Sequence, residues 1–420
     1  DDSLYARHVL LEVIQRIPLV YGAWRALKHI FKTSEQRNDY TLLGAIAARL
    51  DTEVKPEFSQ GTLLYMRRRA WRYLRNLGHN LPAVYPEAAS HFLAAYTDQT
   101  NWSQTWIANH IFFHDTQAYG WHYFGYVSPN ANLLDKRAFK ATWQRSPEPL
   151  LRLLSMARAE KVRKYACDAL KTDFKVVLRD VDPQWLIELA NLNVKSPAID
   201  NLIVWLLQNS PKLEQQNFRQ LGLHSVVISL LESSDAEALT YAIQYAKAYA
   251  RDLPVSELLR LALISHNDLK ALVQQLINER DPRKDIGLEA WGQLLNSTAY
   301  YEFAAAALRK YFGRTELSAD WFKARLLSVG DAGFKFAKQY LLELHPLKTL
   351  DLAYFQDILI QLDTTDRAKR QVAQFILPLM EQFDLNELPS EFIQLALFHP
   401  YLKERVSQWL QNDKIKLRHL

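Results

Sequence analysis

The chain has 420 residues, of which 49% are hydrophobic and 23% charged, and this balance excludes wholesale disorder and collagen-like architecture. It has only 12 glycines, which disfavours a hairpin-rich β protein because tight hairpin turns require glycine. One cysteine, Cys167, excludes an internal disulfide and a zinc site of several thiolates. We therefore expect a soluble helical protein of a reducing compartment, the cytoplasm.

The positive charge of the chain is confined to its N-terminal part. Residues 1–80 contain 13 basic and 8 acidic residues, whereas the whole chain contains 51 and 46. The excess of five in the first segment equals the net charge of +5, so residues 81–420 are neutral. A locally basic segment on a neutral chain predicts one surface that contacts an anionic partner.

We expect no targeting signal at the start of the chain. No stretch approaches about 18 uninterrupted apolar residues, and the opening Asp1-Asp2-Ser3 lacks the basic region of a signal peptide. The chain also begins without methionine, so we expect a segment of a longer protein. We predict no membrane association, and part of the function is expected to lie outside this segment.

A basic helix is predicted over residues 62–75. At 100° per residue its apolar side chains form one broad arc, and a group of arginines occupies the opposite side. These arginines are Arg68, Arg69, Arg72 and Arg75. Guanidinium groups match phosphate oxygens in pairs, so this face predicts nucleic-acid binding through the phosphate backbone, without sequence preference. The alternative is a solvated face whose arginines pair with acids of neighbouring helices.

Arg67 differs from these arginines because it falls inside the apolar arc of the same helix. A buried guanidinium requires a carboxylate or several carbonyl oxygens as partners. Asp39 and Asp51 are the candidate carboxylates. The sequence therefore predicts a structural role for Arg67, and its replacement is expected to lower stability.

Residues 96–126 are rich in aromatic side chains. The aromatic residues are Tyr96, Trp102, Trp106, Phe112, Phe113, Tyr119, Trp121, Tyr123, Phe124 and Tyr126. Aromatic rings between Asn and Gln residues can stack single-stranded bases. Since the segment has no lysine or arginine to hold a nucleic-acid backbone, we favour packing in a core.

Histidines within this segment suggest a metal site. His110 and His114 stand four residues apart and share a helix face, as in zinc proteases, and Asp115 and His122 follow. Ile111 stands where such a motif has its catalytic glutamate. We therefore predict hydrogen-bonded histidines without metal, and a histidine-based metallohydrolase is the less favoured alternative. Cys167 lies on an alanine-rich helix face and is predicted to be a small buried hydrophobe.

From residue 147 onward, amphipathic helix patterns follow one another in pairs. Second helices are predicted to begin near Pro197, Ala236 and Asn267, at a spacing of about 30 to 40 residues that is typical of helical repeats. The short run 174–178 is the one β-like pattern, and a helix end is at least as good an interpretation. We predict an all-α, HEAT-like α-solenoid of stacked antiparallel helix pairs over 147–420, after an N-terminal helical region over 1–146. An irregular all-α globule is the alternative.

The chain has no sequence signature of catalysis. It lacks the G-x-S-x-G, P-loop, dinucleotide-binding and kinase motifs. We therefore predict a non-enzymatic protein with no cofactor and no small-molecule substrate. The run Arg280-Asp281-Pro282-Arg283 is interpreted as a turn between helices, with Asp281 as its cap.

Several strings resemble the large helical region of bacterial WGR-domain proteins, including those called molybdate-metabolism-regulator-like. The strings are residues 62–75, 161–173, 280–283 with 289–292, and 308–313 followed by 320–322. In that family a small WGR domain usually lies upstream, and WGR domains elsewhere contact DNA ends. No part of this chain is similar to that domain, so its DNA-binding residues cannot be transferred. The resemblance implies a scaffold with a protein partner in a DNA-associated bacterial protein, and a purely protein-binding scaffold or regulator is the alternative.

Overall fold

A computed structural model describes residues 3–53, 56–113, 133–192 and 194–416. The regular structure of these residues is helical, apart from one isolated bridge pairing between Thr97 and Arg158. The all-α class predicted from the glycine content and the apolar periodicity is therefore confirmed. No helix among these residues combines the length and the apolar character needed to span a bilayer.

The chain divides into two compact units, Asp1–Tyr245 and Ala246–Leu420. The boundary predicted between residues 146 and 147 marks where repeat-like patterns begin, and it stays a prediction. The helices of the first unit are α1 Leu4–Arg16, α2 Tyr21–Arg37, α3 Tyr40–Asp51, α4 Gln60–Asn80, α5 Tyr85–Ala94, α6 Ile107–Phe112, α7 Leu133–Lys136, α8 Lys140–Trp143, α9 Glu148–Met156, α10 Glu160–Asp173, α11 Lys175–Leu178, α12 Pro183–Ala190, α13 Pro197–Asn209 and α14 His224–Ser229. Helix α15, Ala236–Tyr249, contains the boundary.

Helix α3 is the centre of the first unit. It is apolar on nearly all sides, and most of its residues are buried, which is the pattern of a helix surrounded by others. It packs against α1, α2, α4, α5 and α6. Gly44 permits a close approach of α5, because a Cβ atom there would lie 2.6 Å from the carbonyl oxygen of His91.

The second unit consists of helices that pack in consecutive pairs. Its helices are α16 Val255–Leu261, α17 Asn267–Asn278, α18 Gly287–Leu295, α19 Tyr301–Tyr311, α20 Ala319–Leu327, α21 Ala332–Leu344, α22 Leu352–Ile360, α23 Lys369–Met380, α24 Ser390–Phe398 and α25 Lys403–Gln411. Each pair, beginning with α16 and α17, is in contact. Between pairs, α16 contacts α18, α20 contacts α22, and α22 contacts α24. The predicted helix starts at Pro197, Ala236 and Asn267 are confirmed.

Capping residues explain where several helices begin. The Asp182 carboxylate accepts a hydrogen bond from the Gln184 amide at 2.8 Å, directly before the proline that opens α12. Asp281 accepts from the amides of Arg283 and Lys284, as its predicted capping role requires, and a π-helical turn, Pro282–Ile286, follows it. The β-like run at 174–178 is helical, because α11 occupies Lys175–Leu178.

Candidate nucleic-acid interface

Helix α4 has one buried and one solvent-facing side, as its angular pattern predicts. Its fully buried residues include Leu63, Met66, Ala70, Leu74 and Leu77. Arg72 and Arg75 on the opposite side are exposed, whereas Arg68 and Arg69 are half-buried. The Ser59 hydroxyl caps the helix by accepting a hydrogen bond from the Thr62 amide. The four predicted contact residues therefore share one side of the helix but differ in exposure.

Arg67 points toward the C-terminal end of α3. Its guanidinium donates to the carbonyl oxygens of Leu50 at 3.1 Å, Asp51 at 2.9 Å and Glu53 at 3.0 Å. Its Nε also lies 3.5 Å from the Asp51 carboxylate, and its side chain is only 15% exposed. Arg67 therefore has both kinds of partner that a buried guanidinium requires, a carboxylate and several carbonyl oxygens. These contacts link α4 to α3 and keep the guanidinium largely out of solvent.

Asp51 is a fully buried carboxylate that organises the start of α6. It accepts hydrogen bonds from the amides of Trp106 at 2.8 Å, Ile107 at 2.9 Å and Ala108 at 3.3 Å, and from the Tyr96 hydroxyl at 2.8 Å. Burial raises the pKa of Asp51, although Arg67 and these donors act in the opposite direction. Because its oxygens face donors of the fold, we assign Asp51 a structural role.

Arg69 is paired with an acid of α2. Its guanidinium lies 2.5 Å from the Glu35 carboxylate and donates to the Tyr65 hydroxyl at 3.2 Å. This ion pair joins α4 to α2, and it neutralises one of the four predicted contact residues. Arg69 therefore agrees with the alternative prediction for this face, in which the arginines pair with acids of neighbouring helices.

Two lysines of α2 lie beside the same tyrosine. The Lys28 ammonium is 5.6 Å from the centre of the Tyr65 ring, and Lys32 is exposed one turn further along. The pKa of Tyr65 is lowered, mainly by the hydrogen bond from Arg69 and also by the nearby charges of Arg69, Lys32 and Lys28. Around Tyr65, Arg69 of α4 and the two lysines of α2 therefore form one cluster of basic residues.

Arg75 lies against an aromatic ring. Its guanidinium carbon is 5.2 Å from the centre of the Trp71 ring, which itself packs edge-on against Trp106 with ring centres 5.6 Å apart. Arg75 also approaches His79, with 3.5 Å between Nε and the imidazole Nε2. A cation resting on a packed indole loses less conformational freedom when it binds a phosphate.

The described part of the aromatic segment belongs to the core. Tyr96, Trp106, Phe112 and Phe113 are buried, which confirms the packing interpretation for these residues. Their rings are not available for stacking bases. Trp102 is half-buried, with its ring centre 5.5 Å from that of Tyr96. Five further aromatic residues lie outside the described residues: Tyr119, Trp121, Tyr123, Phe124 and Tyr126.

The predicted metal ligands are only partly described. His110 is buried between aromatic rings, with ring centres 5.2 Å from Trp71 and 4.1 Å from Trp106. His114, Asp115 and His122 lie outside the described residues. In the described part of the chain, no group of three or more histidine, cysteine or acidic side chains is arranged to hold a metal ion.

Cys167 is buried on α10, and burial raises the pKa of its thiol to about 12. A thiol with so high a pKa stays protonated at neutral pH. Cys167 therefore behaves as the small hydrophobe that its alanine-rich face predicts.

No protein-family model, curated protein or solved structure matches this chain. The interface must therefore be interpreted from its own geometry.

Lys28, Lys32 and Tyr65 were not predicted as members of this surface, because helical periodicity relates residues within one helix and not residues of two helices. Lys28, Lys32 and Glu35 stand at i, i+4 and i+7 on α2, so they share a face. That spacing beside a basic α4 is the signal that could have identified them.

Proposed function

We propose that the chain is a non-enzymatic helical scaffold of the HEAT-like α-solenoid type, which contacts the phosphate backbone of nucleic acid through α4. The observation that carries this proposal is the exposure of Arg72 and Arg75 on the solvent-facing side of α4. The consecutive helix pairs and the resemblance to the helical region of bacterial WGR-domain proteins support the scaffold type. The same resemblance supports a place in a DNA-associated bacterial protein of the cytoplasm that also binds a protein partner.

Binding through this surface is electrostatic and independent of sequence. Arginine side chains on the outer side of a surface helix reach phosphates, and they release counterions when they do so. Arg69 contributes less than its neighbours while its charge is paired with Glu35. Half-buried Arg68 takes part only through the portion of its side chain that faces solvent.

The test measures how the affinity of the full chain for a short DNA duplex depends on salt, by fluorescence anisotropy. Each phosphate contact contributes about 0.9 to the slope of log affinity against log salt for B-DNA. Replacing Arg72 and Arg75 together by glutamine is therefore expected to flatten the slope by about two units. The salt slope distinguishes the loss of phosphate contacts from a loss of folded protein. Misfolded protein would lower the signal at every salt concentration and leave the slope unchanged.

A matched control removes two exposed basic residues elsewhere, in the double variant Lys175→Gln/Arg179→Gln. This control is expected to leave the salt slope unchanged. The variant Glu35→Gln gives the opposite sign, because it releases Arg69 from its ion pair and is expected to steepen the slope. An unchanged slope in the Arg72/Arg75 variant, or no duplex binding by the parent chain at low salt, contradicts the proposal.

One observation favours a purely protein-binding scaffold as the second candidate. Helix α1 exposes Leu4 by 86%, Tyr5 by 80%, Val9 by 41% and Val13 by 45%. Exposed apolar residues on one helix are typical of surfaces that contact another protein. This candidate becomes the better one if the parent chain does not bind duplex DNA at low salt.

A further inference from the structure

A cavity of about 490 Å³ lies in the first unit, away from the α4 surface. It is bounded by the end of α1, by α3, by the end of α5 with the turn that follows it, and by residues 156–158. Its volume falls in the range of about 300 to 1,000 Å³ that is typical of small-molecule sites.

The charge of the cavity wall is positive. Arg16, Arg49 and Arg158 line it, and none of its described lining residues is acidic. These arginines come from distant parts of the sequence, and the fold brings their like charges to one space. Such an arrangement is unfavourable unless an anion is present or solvent screens the charges. Arg49 has an ion pair with Glu53 at 2.8 Å, but Glu53 does not line this cavity.

Hydroxyl groups add further hydrogen-bond donors to the wall. Thr41, Thr97 and Thr100 line the cavity, whereas the hydroxyl of Thr52, which also lines it, already donates to the carbonyl oxygen of Ala48 at 2.9 Å. The Thr41 hydroxyl lies 3.2 Å from Nδ1 of His91, another lining residue whose pKa is lowered by burial and by neighbouring Arg152. Arginine and hydroxyl donors together suit an oxyanion such as a phosphate or a carboxylate.

One part of the wall is apolar. The small side chains of Ala45, Ala48 and Ala94 leave the space that forms the cavity, and Leu11 and Met156 also line it. The Met156 residue is 41% exposed, which is unusual for a large hydrophobic residue unless something covers it. A bare inorganic ion would leave this apolar part unused.

We propose that this cavity is a binding site for a small molecule that combines an oxyanion, either phosphate or carboxylate, with an apolar part. The arginines bind the oxyanion, the threonine hydroxyls orient it, and the alanine and methionine side chains contact the apolar part. The site is independent of the exposed side of α4.

Isothermal titration calorimetry of the full chain at low salt tests the proposal with three probes: phenyl phosphate, benzoate and inorganic phosphate. Phenyl phosphate or benzoate is expected to bind saturably, with a dissociation constant of about 1 mM or tighter. The comparison of these two probes identifies the preferred oxyanion. Inorganic phosphate is expected to bind more weakly than phenyl phosphate, since it lacks the apolar part.

Variants assign the binding to the cavity. Arg16→Gln/Arg158→Gln is expected to weaken binding at least about tenfold, because two charged donors are removed while exposed positions keep the fold intact. Glu53→Gln is expected to strengthen binding, since it frees Arg49 from its ion pair. Met156→Ala is expected to weaken the binding of phenyl phosphate and to leave the binding of inorganic phosphate unchanged.

The double variant Arg72→Gln/Arg75→Gln is the matched control, and it is expected to bind the probes like the parent chain. Failure of this site and failure of the α4 surface are therefore distinguishable. The proposal is overturned if neither phenyl phosphate nor benzoate binds saturably. It is also overturned if the Arg16/Arg158 variant binds both probes as tightly as the parent, because the binding then occurs elsewhere.

Discussion

Asp51 in the first unit and Glu381 in the second are both surrounded by donors, yet their pKa values are shifted in opposite directions. Asp51 is fully buried, and burial raises its pKa despite the amides of α6, the Tyr96 hydroxyl and the Arg67 guanidinium. The Glu381 side chain is 16% exposed. Burial alone would raise the pKa of Glu381 too, but its donors outweigh burial and lower the pKa to about 2.

The donors of Glu381 come from the last helix of the second unit and the residues after it. Its carboxylate accepts from Arg405 Nε at 2.7 Å, from the Trp409 indole at 2.7 Å and from Lys414 Nζ at 2.9 Å. The number of donors is therefore similar at the two centres. The sites differ in charge as well as in burial, because Asp51 has one cation at 3.5 Å whereas Glu381 has two within 2.9 Å. The difference teaches that complete burial raises the pKa of a carboxylate even among neutral donors, and that close cationic donors reverse the shift where some solvent remains.

The largest expected effect comes from removing Arg67, the cation beside Asp51. Asp51 with its donors is called the buried centre below. Arg67→Met leaves the Asp51 carboxylate without its charged neighbour and leaves the carbonyl oxygens of Leu50, Asp51 and Glu53 without this donor. Breaking a buried pair costs about 3 to 5 kcal/mol, and we expect a value of about 3 because Asp51 keeps its other hydrogen bonds. Urea denaturation measures this loss in the free energy of unfolding.

The pH dependence of this variant sharpens the comparison. The folded pKa of Asp51 lies above the ordinary 3.8, so its proton is held more tightly in the folded chain than in the unfolded one. The tighter proton binding stabilises the folded chain below pH 3.8, and this stabilisation is lost as the pH rises through the folded pKa. Removing Arg67 raises that pKa further, so the destabilisation is expected to grow from acid to neutral pH. In an Asp51→Asn background the growth should disappear, and its persistence there would contradict this account.

The next effect comes from removing one neutral donor to Asp51. Tyr96→Phe keeps the ring in the core but removes the hydroxyl that donates to the carboxylate at 2.8 Å. A hydrogen bond to a charged group contributes about 1.5 to 3 kcal/mol, and we expect a loss of about 2 kcal/mol. Urea denaturation measures it, with Tyr21→Phe as the control because Tyr21 is 65% exposed. Equal stability of the two variants would show that Asp51 does not depend on this donor.

A smaller effect on stability is expected at Glu381, the partly exposed carboxylate of the second unit. Glu381→Gln removes the charge that binds Arg405 and Lys414, whose side chains are 43% and 45% exposed. Solvent screens such pairs, so we expect a loss of about 1 kcal/mol at neutral pH. The folded pKa of about 2 lies below the ordinary 4.5, so the stabilisation is present above pH 4.5 and is lost as the pH falls through about 2. Thermal denaturation of parent and variant should therefore converge in acid, and a gap that widens in acid would be inconsistent with this sign.

The α4 side of the buried centre could be predicted from the sequence, because a helix has a fixed angle per residue. That angle placed Arg67 in the apolar arc and the other arginines outside it, and Asp51 was one of two candidate partners. The amides of α6 that complete the centre lie more than fifty residues after Asp51. Local periodicity contains no information about such distances, so these partners were not predicted.

The same limit applies to the second unit and to the cavity. Lys369 is buried and donates to carbonyl oxygens at the end of α20, including that of Leu326 at 3.2 Å. In the sequence it looks like any lysine at the start of a helix. The cavity is formed by four separate segments, so no single motif could indicate it. Capping, by contrast, is local, and for that reason the helix starts were predicted well.

The smallest expected effect on stability is at the exposed arginines of α4, which lie next to the buried centre in sequence but face solvent. Arg72→Gln/Arg75→Gln is expected to change the free energy of unfolding by no more than about 0.5 kcal/mol, since surface substitutions away from buried networks rarely do more. The single variants Arg72→Gln and Arg75→Gln show how much each arginine contributes to this change in the free energy of unfolding. Arg75 rests on the Trp71 ring at 5.2 Å, and an exposed cation–π contact contributes about 0.5 kcal/mol at the lower end of its range, so most of any loss should come from Arg75. Urea denaturation of both single variants checks this division, and a loss at Arg72 comparable to that at Arg67 would show that the two sides of α4 do not differ as described. If both remain stable while the salt slope of DNA binding flattens, these arginines are available for a partner because the fold does not use them.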